Sequence, residues 1–154
     1  MSRIILADLE GCDGYVNKDT VAGGYGSRFQ GHSFCTRLEK NLRRVLQNLP
    51  SIHIGYLASI FANAGHEVVV TRHDKLIEGD LAIVLTSLVD YRHEREWALA
   101  MKTRVKKVGF VGTAVTHLPE LFERFGDFMV SGEPEAAIIR IADGEDPHGI
   151  VTSP

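Results

Sequence analysis

Short apolar runs alternate with amphipathic stretches along this chain, and that alternation constrains the fold more than any other feature. Arg3–Asp8 (RIILAD), Glu67–Thr71 (EVVVT), Asp80–Ser87 (DLAIVLTS), Val108–Val111 (VGFV) and Phe128–Ser131 (FMVS) carry the β-branched, aliphatic and aromatic residues of strands. Asp80–Ser87 is almost continuously apolar, the pattern of a strand buried on both faces. Between the runs, apolar residues recur at helical spacing. Ser51 can cap a helix with the inner stripe Ile54, Leu57, Ala58 and Phe61; Gly55 within it suggests close packing on a sheet, and Gly65 ends it. Asp90 precedes a helix that buries Trp97, Met101 and Val105 in one row. Pro134 opens a last helix with Ala137, Ile138 and Ile141 inward and Gly144 just past its end. Strands and helices in this order predict an α/β fold: a doubly wound, Rossmann-like (flavodoxin-like) open parallel sheet of five strands, with helices on both faces.

The unit Val108–Glu120 (VGFVGTAVTHLPE) reads as strand, glycine turn and helix. The chain turns at Gly112, Thr113 and Ala114. Thr116 and Pro119 stand where a helix would begin, one as a cap and one as a residue whose missing N–H costs nothing in a first turn. Leu118, Leu121, Phe122 and Phe125 follow at helical spacing. In an open parallel sheet such turns gather at the carboxyl edge, where ligands bind. The turns at Asp8, Ser87, Gly112 and Gly132 are expected there. Ser87, Gly112, Thr113, Ala114, Thr116, Ser131 and Gly132 are small or hydrogen-bonding, so they leave room for a bulky ligand without bringing charge.

Leu9 to Thr36 is a long glycine-rich connection with little periodicity, and loops of that length tend to be functional or disordered. Its piece Ala22–Phe29 (AGGYGSRF), with Gly24 at its centre, reads either as a ligand-contacting loop or as a surface loop. Arg37–Asn48 is an amphipathic helix with a basic outer face, solvated or open to an anion or partner. The segment 145–154 is polar, contains Pro147, Gly149 and Pro154, and reads as a linker or tail outside the sheet. Residues 1–144 therefore form a single domain.

The chain's 154 residues suffice for one core. A net charge of −3 with interspersed signs argues against a nucleic-acid binder relying on a basic face. No apolar run approaches the ~20 residues of a membrane span, and the N-terminus lacks a secretory pattern. Two cysteines, Cys12 and Cys35, read as reduced and cytosolic rather than as a disulfide framework.

Several motifs are missing. Gly-x-Gly-x-x-Gly, Gly-x-x-x-x-Gly-Lys-Ser/Thr and Gly-x-Ser-x-Gly do not occur, which speaks against dinucleotide, triphosphate and α/β-hydrolase sites. The cysteines have no zinc or iron–sulfur spacing, and no two of the seven histidines make a metal-binding i, i+4 pair. His117, beside the glycine turn, is the histidine best placed to meet a ligand; His66 follows a helix-ending glycine and reads as a turn residue. Asp8 and Glu133 end strands at the ligand edge and can serve as caps or as catalytic groups.

From about Pro50 to Gly144 the chain resembles the N-terminal cobalamin-binding domain of cobalamin-dependent radical S-adenosylmethionine (SAM) proteins. The matching pieces are Ile54–Gly55–Tyr56–Leu57–Ala58, Ala64–Gly65–His66–Glu67–Val68, Asp80–Ser87, Gly112 through Thr116 to Leu118–Pro119–Glu120, and Gly132–Glu133–Pro134–Glu135. The resemblance implies a corrin lying across the carboxyl edge, with its nucleotide tail descending among the turns after the third, fourth and fifth strands. Ser87, Gly112, Thr113, Thr116, Gly132 and Glu133 would line the tail pocket. Leu88, Ala114, Ser131 and Gly24 complete the candidate cofactor contacts. Asp-x-His-x-x-Gly is absent, so no histidine is expected as lower axial ligand. No Cys-x-x-x-Cys-x-x-Cys is present either, so SAM and a 4Fe–4S cluster would belong to a downstream radical SAM domain, partnering this one in cis or in trans. The chain is then expected to be a fragment of a longer enzyme of methyl transfer or carbon-skeleton chemistry. Two alternatives remain. Val111 and Pro134 stand where the family has glycine, which suits an interaction or regulatory domain that has lost the cofactor. Gly23–Arg28 could instead cradle an anion in a small phosphate- or nucleotide-binding enzyme.

Overall fold

The computed structural model describes residues 1–9, 16–17, 27–28, 33–35, 38 and 51–152. Its strands are β1 (Arg3–Ala7), β2 (Val16–Asn17), β3 (Ser27–Arg28), β4 (Glu67–Thr71), β5 (Leu81–Leu85), β6 (Lys107–Val111), β7 (Phe128–Ser131) and β8 (Gly149–Thr152). Its helices are α1 (Ile52–Asn63), α2 (Tyr91–Met101), α3 (Thr113–His117) and α4 (Glu135–Ala142), with a 3-10 turn at Pro119–Leu121. Strands β2 and β3 form a small antiparallel pair. The other six make one parallel sheet in the order β4-β1-β5-β6-β7-β8. The chain leaves β1 first to one side and then to the other, as a doubly wound, Rossmann-like sheet does.

Alternation along the strands builds a core on each face. Ile4, Leu6, Leu81, Ile83 and Leu85 pack toward α1 and α4 with Leu57, Phe61, Ile138 and Ile141. Ile5, Ala7, Ala82 and Val84 pack on the opposite face with Trp97, Met101, Val115 and Phe122. All five residues of β5 are buried, as its unbroken apolar run requires. Ser51 caps α1 by accepting the Ile54 N–H at 3.5 Å.

The structure departs from the expected fold in four places. The sheet has six strands rather than five, because the tail at 145–154 is not a free linker. Gly149–Thr152 pairs in parallel with β7, from Phe128 opposite Gly149 to Ser131 opposite Thr152. Lys107 Nζ fixes the approach by donating to Asp146 and to the Pro147 carbonyl, and Gly149 N–H donates to the Asp127 carbonyl. As an open edge strand, β8 buries little, so apolar alternation did not reveal it.

The helix after β6 begins at Thr113, ahead of Thr116. Gly112 takes φ 110° at its N-cap and turns the chain at once. Pro119 cannot supply the N–H that would prolong this helix and opens the 3-10 turn instead. Gly55 is exposed, and a Cβ there would meet nothing within 4 Å. Close packing does require glycine at Gly109 in β6, where a Cβ would fall on the Phe128 ring, and at Gly126, where it would fall on the Phe110 ring.

Candidate functional site

Hydroxyl side chains hold the carboxyl edge together. A hydroxyl both donates and accepts, so one side chain can join two backbone segments. Thr86, just past β5, donates to the Val111 carbonyl at 2.8 Å and accepts the Val115 N–H at 3.2 Å. It thereby joins its own turn to the one after β6. Thr116 donates to the Gly112 carbonyl at 2.9 Å and accepts the Gly132 N–H at 3.1 Å. That bond joins the turn after β6 to the turn after β7.

Ser87 is tied in the other direction, toward α2. Its hydroxyl donates to Glu94 Oε1 at 2.9 Å and accepts the Asp90 N–H at 3.1 Å. Its own N–H donates to the Glu94 carboxylate, at 2.9 Å to Oε2 and 3.1 Å to Oε1. Glu94 is fully buried.

A cleft of about 390 Å³ opens over the joined turns. The ends of β5 and β6 contribute Leu85, Thr86 and Gly112, α1 contributes His53 and Leu57, and the turn from β7 into α4 contributes Gly132, Glu133, Pro134 and Glu135. Thr113, Thr116 and His117 complete it. The size falls in the ordinary range for small-molecule sites. No Lys or Arg lines the cleft, while two carboxylates do, so its field favours a neutral or cationic group over a phosphate. A side chain at Gly112 would intrude, since its Cβ would lie 3.1 Å from Leu85 Cδ1 and 3.2 Å from the Thr86 carbonyl. Gly132, at φ 86°, leaves the space beside it open.

Among the sequence candidates, Gly112, Thr113, Thr116, Gly132 and Glu133 line this cleft together, and His117 joins them. Ser87 and Ala114 lie outside the lining: Ser87 is buried and engaged by Glu94, and Ala114 is core. Ser131 ends β7 opposite Thr152, and Leu88 projects outward, 46% exposed. Gly24, Cys12 and the expected helix over Arg37–Asn48 apart from Leu38 lie outside the described residues, as does the glycine-rich piece apart from the backbone of Ser27–Arg28; Leu38 is helical but exposed rather than on a buried apolar face. His66 is structural: its Nδ1 accepts the Ser2 N–H at 3.2 Å, which leaves Nε2 to donate to the Ala142 carbonyl at 2.9 Å.

Sequence reasoning puts the Thr86 hydroxyl at the carboxyl edge but missed His53, Leu57, Leu85, Pro134 and Glu135 as lining, and Glu94 as a group that shapes the edge. His53 lies four residues before Leu57, a spacing that puts both on one side of α1 and could have signalled it. Glu94 stands in the sequence among Arg92, Arg95 and Glu96 around the start of α2. Its spacing, three residues before Trp97 and seven before Met101, puts it on the buried side of α2 and could have signalled it.

Among the described residues no group of three or more His, Cys, Asp or Glu is arranged to hold a metal ion, and no helix is long and apolar enough to cross a membrane. No protein-family model, curated protein or solved structure matches the chain significantly.

Proposed function

We propose that the chain is a cobalamin-binding module serving a radical SAM enzyme. The observation that carries this reading is the cleft over the turns after β5, β6 and β7, the third to fifth strands of the parallel series. It is where the resemblance expects the nucleotide tail, and five of the six residues assigned to the tail line it. Its neutral lining at Leu85, Thr86 and Gly112 and the open space beside Gly132 suit the uncharged, flat heterocycle of the tail, whose phosphodiester would lie outside the cleft, away from Glu133 and Glu135. Gly112, Thr113, Thr116, Gly132 and Glu133 would hold the tail, with Leu57 and Leu85 against its apolar faces. Bound cobalamin would supply cobalt chemistry, either methyl transfer or carbon-skeleton rearrangement. SAM and a 4Fe–4S cluster would come from a radical SAM domain in cis or in trans.

A phosphate or nucleotide site has less support, because the cleft presents carboxylates and no cation. Titration with hydroxocobalamin tests the reading. Binding should perturb the visible spectrum of the corrin and carry it through gel filtration with the protein. Free passage of the corrin at high micromolar protein contradicts the proposal.

A further inference from the structure

We propose that Glu94 is a positioning residue for the ligand edge; this inference rests on the cobalamin reading above. A fully buried carboxylate is costly unless its oxygens are bonded, so its presence calls for a structural reason. The bonds named above supply one. Both carboxylate oxygens accept the Ser87 N–H, and one also accepts the Ser87 hydroxyl. The hydroxyl in turn accepts the Asp90 N–H. Two bonds therefore fix the backbone of the turn, at Ser87 and at Asp90, with Glu94 behind both.

The consequence falls on the two residues between them. Leu88 and Val89 are 46% and 38% exposed at the carboxyl edge. With only Ser87 between, they follow Thr86, which lines the cleft and is itself tied to Val111 and Val115. With the chain anchored on both sides, these apolar side chains cannot fold inward. Glu94 thus holds outward a small apolar surface next to the cleft, placed to meet the large ring of a ligand whose tail occupies the cleft. The role is distinct from that of the lining residues, since Glu94 itself is out of reach of any ligand.

Glu94→Gln is the discriminating variant. It keeps the shape but sets an amide donor against the Ser87 donors. Ser87→Ala is its milder companion, removing the hydroxyl bonds and leaving the backbone bond to Glu94. Two quantities are read in each protein: hydrogen exchange at residues 86–91 and affinity for hydroxocobalamin. Far-UV circular dichroism and emission of the single tryptophan, Trp97, check that the variants stay folded.

In Glu94→Gln, exchange should quicken in the turn while β5 and β6 stay protected, and affinity should fall about tenfold, the scale of one lost charge-assisted bond. Ser87→Ala should shift both quantities the same way by less. Unchanged exchange overturns the inference, and so does quickened exchange with wild-type affinity; either leaves the proposed function standing. Failure of the wild-type chain to bind hydroxocobalamin overturns the proposed function, and the ligand role of Glu94 with it.

Discussion

The two edges of the sheet are held by different chemistry. At the amino edge the ties are charged and exposed to water. Asp80 accepts the Arg3 N–H at 2.9 Å and pairs with Lys106 at 2.7 Å; Asp127 accepts the Val108 N–H at 2.8 Å and pairs with Lys102 at 3.0 Å. Arg3 meets Glu67 at 3.1 Å, and Lys107 meets Asp146. At the carboxyl edge the ties are the Thr86 and Thr116 hydroxyls and the buried Glu94. Exposed ion pairs are each worth about 0–1 kcal/mol and tolerate rearrangement. Hydroxyl ties between backbone groups are short, neutral and geometrically strict. They keep three turns in register around a cleft without putting charge into it. The amino edge closes the sheet; the carboxyl edge shapes a surface.

That contrast can be broken most directly at Gly112. Gly112→Val puts a β-branched residue at φ 110°, with its Cβ against Leu85 and the Thr86 carbonyl. The backbone strain alone costs about 1–3 kcal/mol, seen as a lower midpoint in urea unfolding, and corrin binding should be lost. Thr86→Val comes next. It leaves the buried Val115 N–H without its acceptor, an expected loss of about 1–3 kcal/mol by the same measurement.

Thr116→Val separates shape from stability. One of its bonds is part-buried and the other exposed, so unfolding should shift by about 1 kcal/mol. Affinity should fall more than stability does, because the turns at Gly112 and Gly132 lose their link, and Thr116→Ser should restore it. The smallest effect is expected at the amino edge. Bonds from Lys106 and from the Arg3 N–H hold the Asp80 carboxyl below its usual 3.8. A depressed folded value means its stabilisation is present above the unfolded value near 3.8 and fades as pH falls through the lower folded one. Asp80→Asn should therefore flatten the acid limb of the stability profile slightly, leave neutral-pH ligand binding unchanged, and show its effect less at high salt. A change in corrin affinity from Asp80→Asn would contradict the division between the edges.

The parallel series through β7 and its helices could be read in advance because burial imposes period. β5 had to be apolar throughout, and the α1 stripe at Ile54, Leu57 and Phe61 had to face the sheet. β8 carried no such imprint, being a short edge strand held by its neighbour's backbone. The candidate site was legible where a backbone conformation demands a residue type, as at Gly112 and Gly132. Both glycines have positive φ, and both line the cleft. It was not legible where the role depends on a partner distant in sequence. Ser87 looked like a lining hydroxyl, and only the three-dimensional position of Glu94 shows it engaged elsewhere. Gly55, apt for close packing by type, faces open space, while Gly109 lies under Phe128, a neighbour that no local pattern names.

The central claim is that the cleft over Gly112, Thr116 and Gly132 receives the nucleotide tail of a corrin. Parallel titrations with hydroxocobalamin and with cobinamide, which has the same ring without the tail, test it most directly. The account predicts that the cobalamin binds at least about tenfold more tightly, from burial of the heterocycle alone. Equal affinities, or binding of neither corrin, would contradict it.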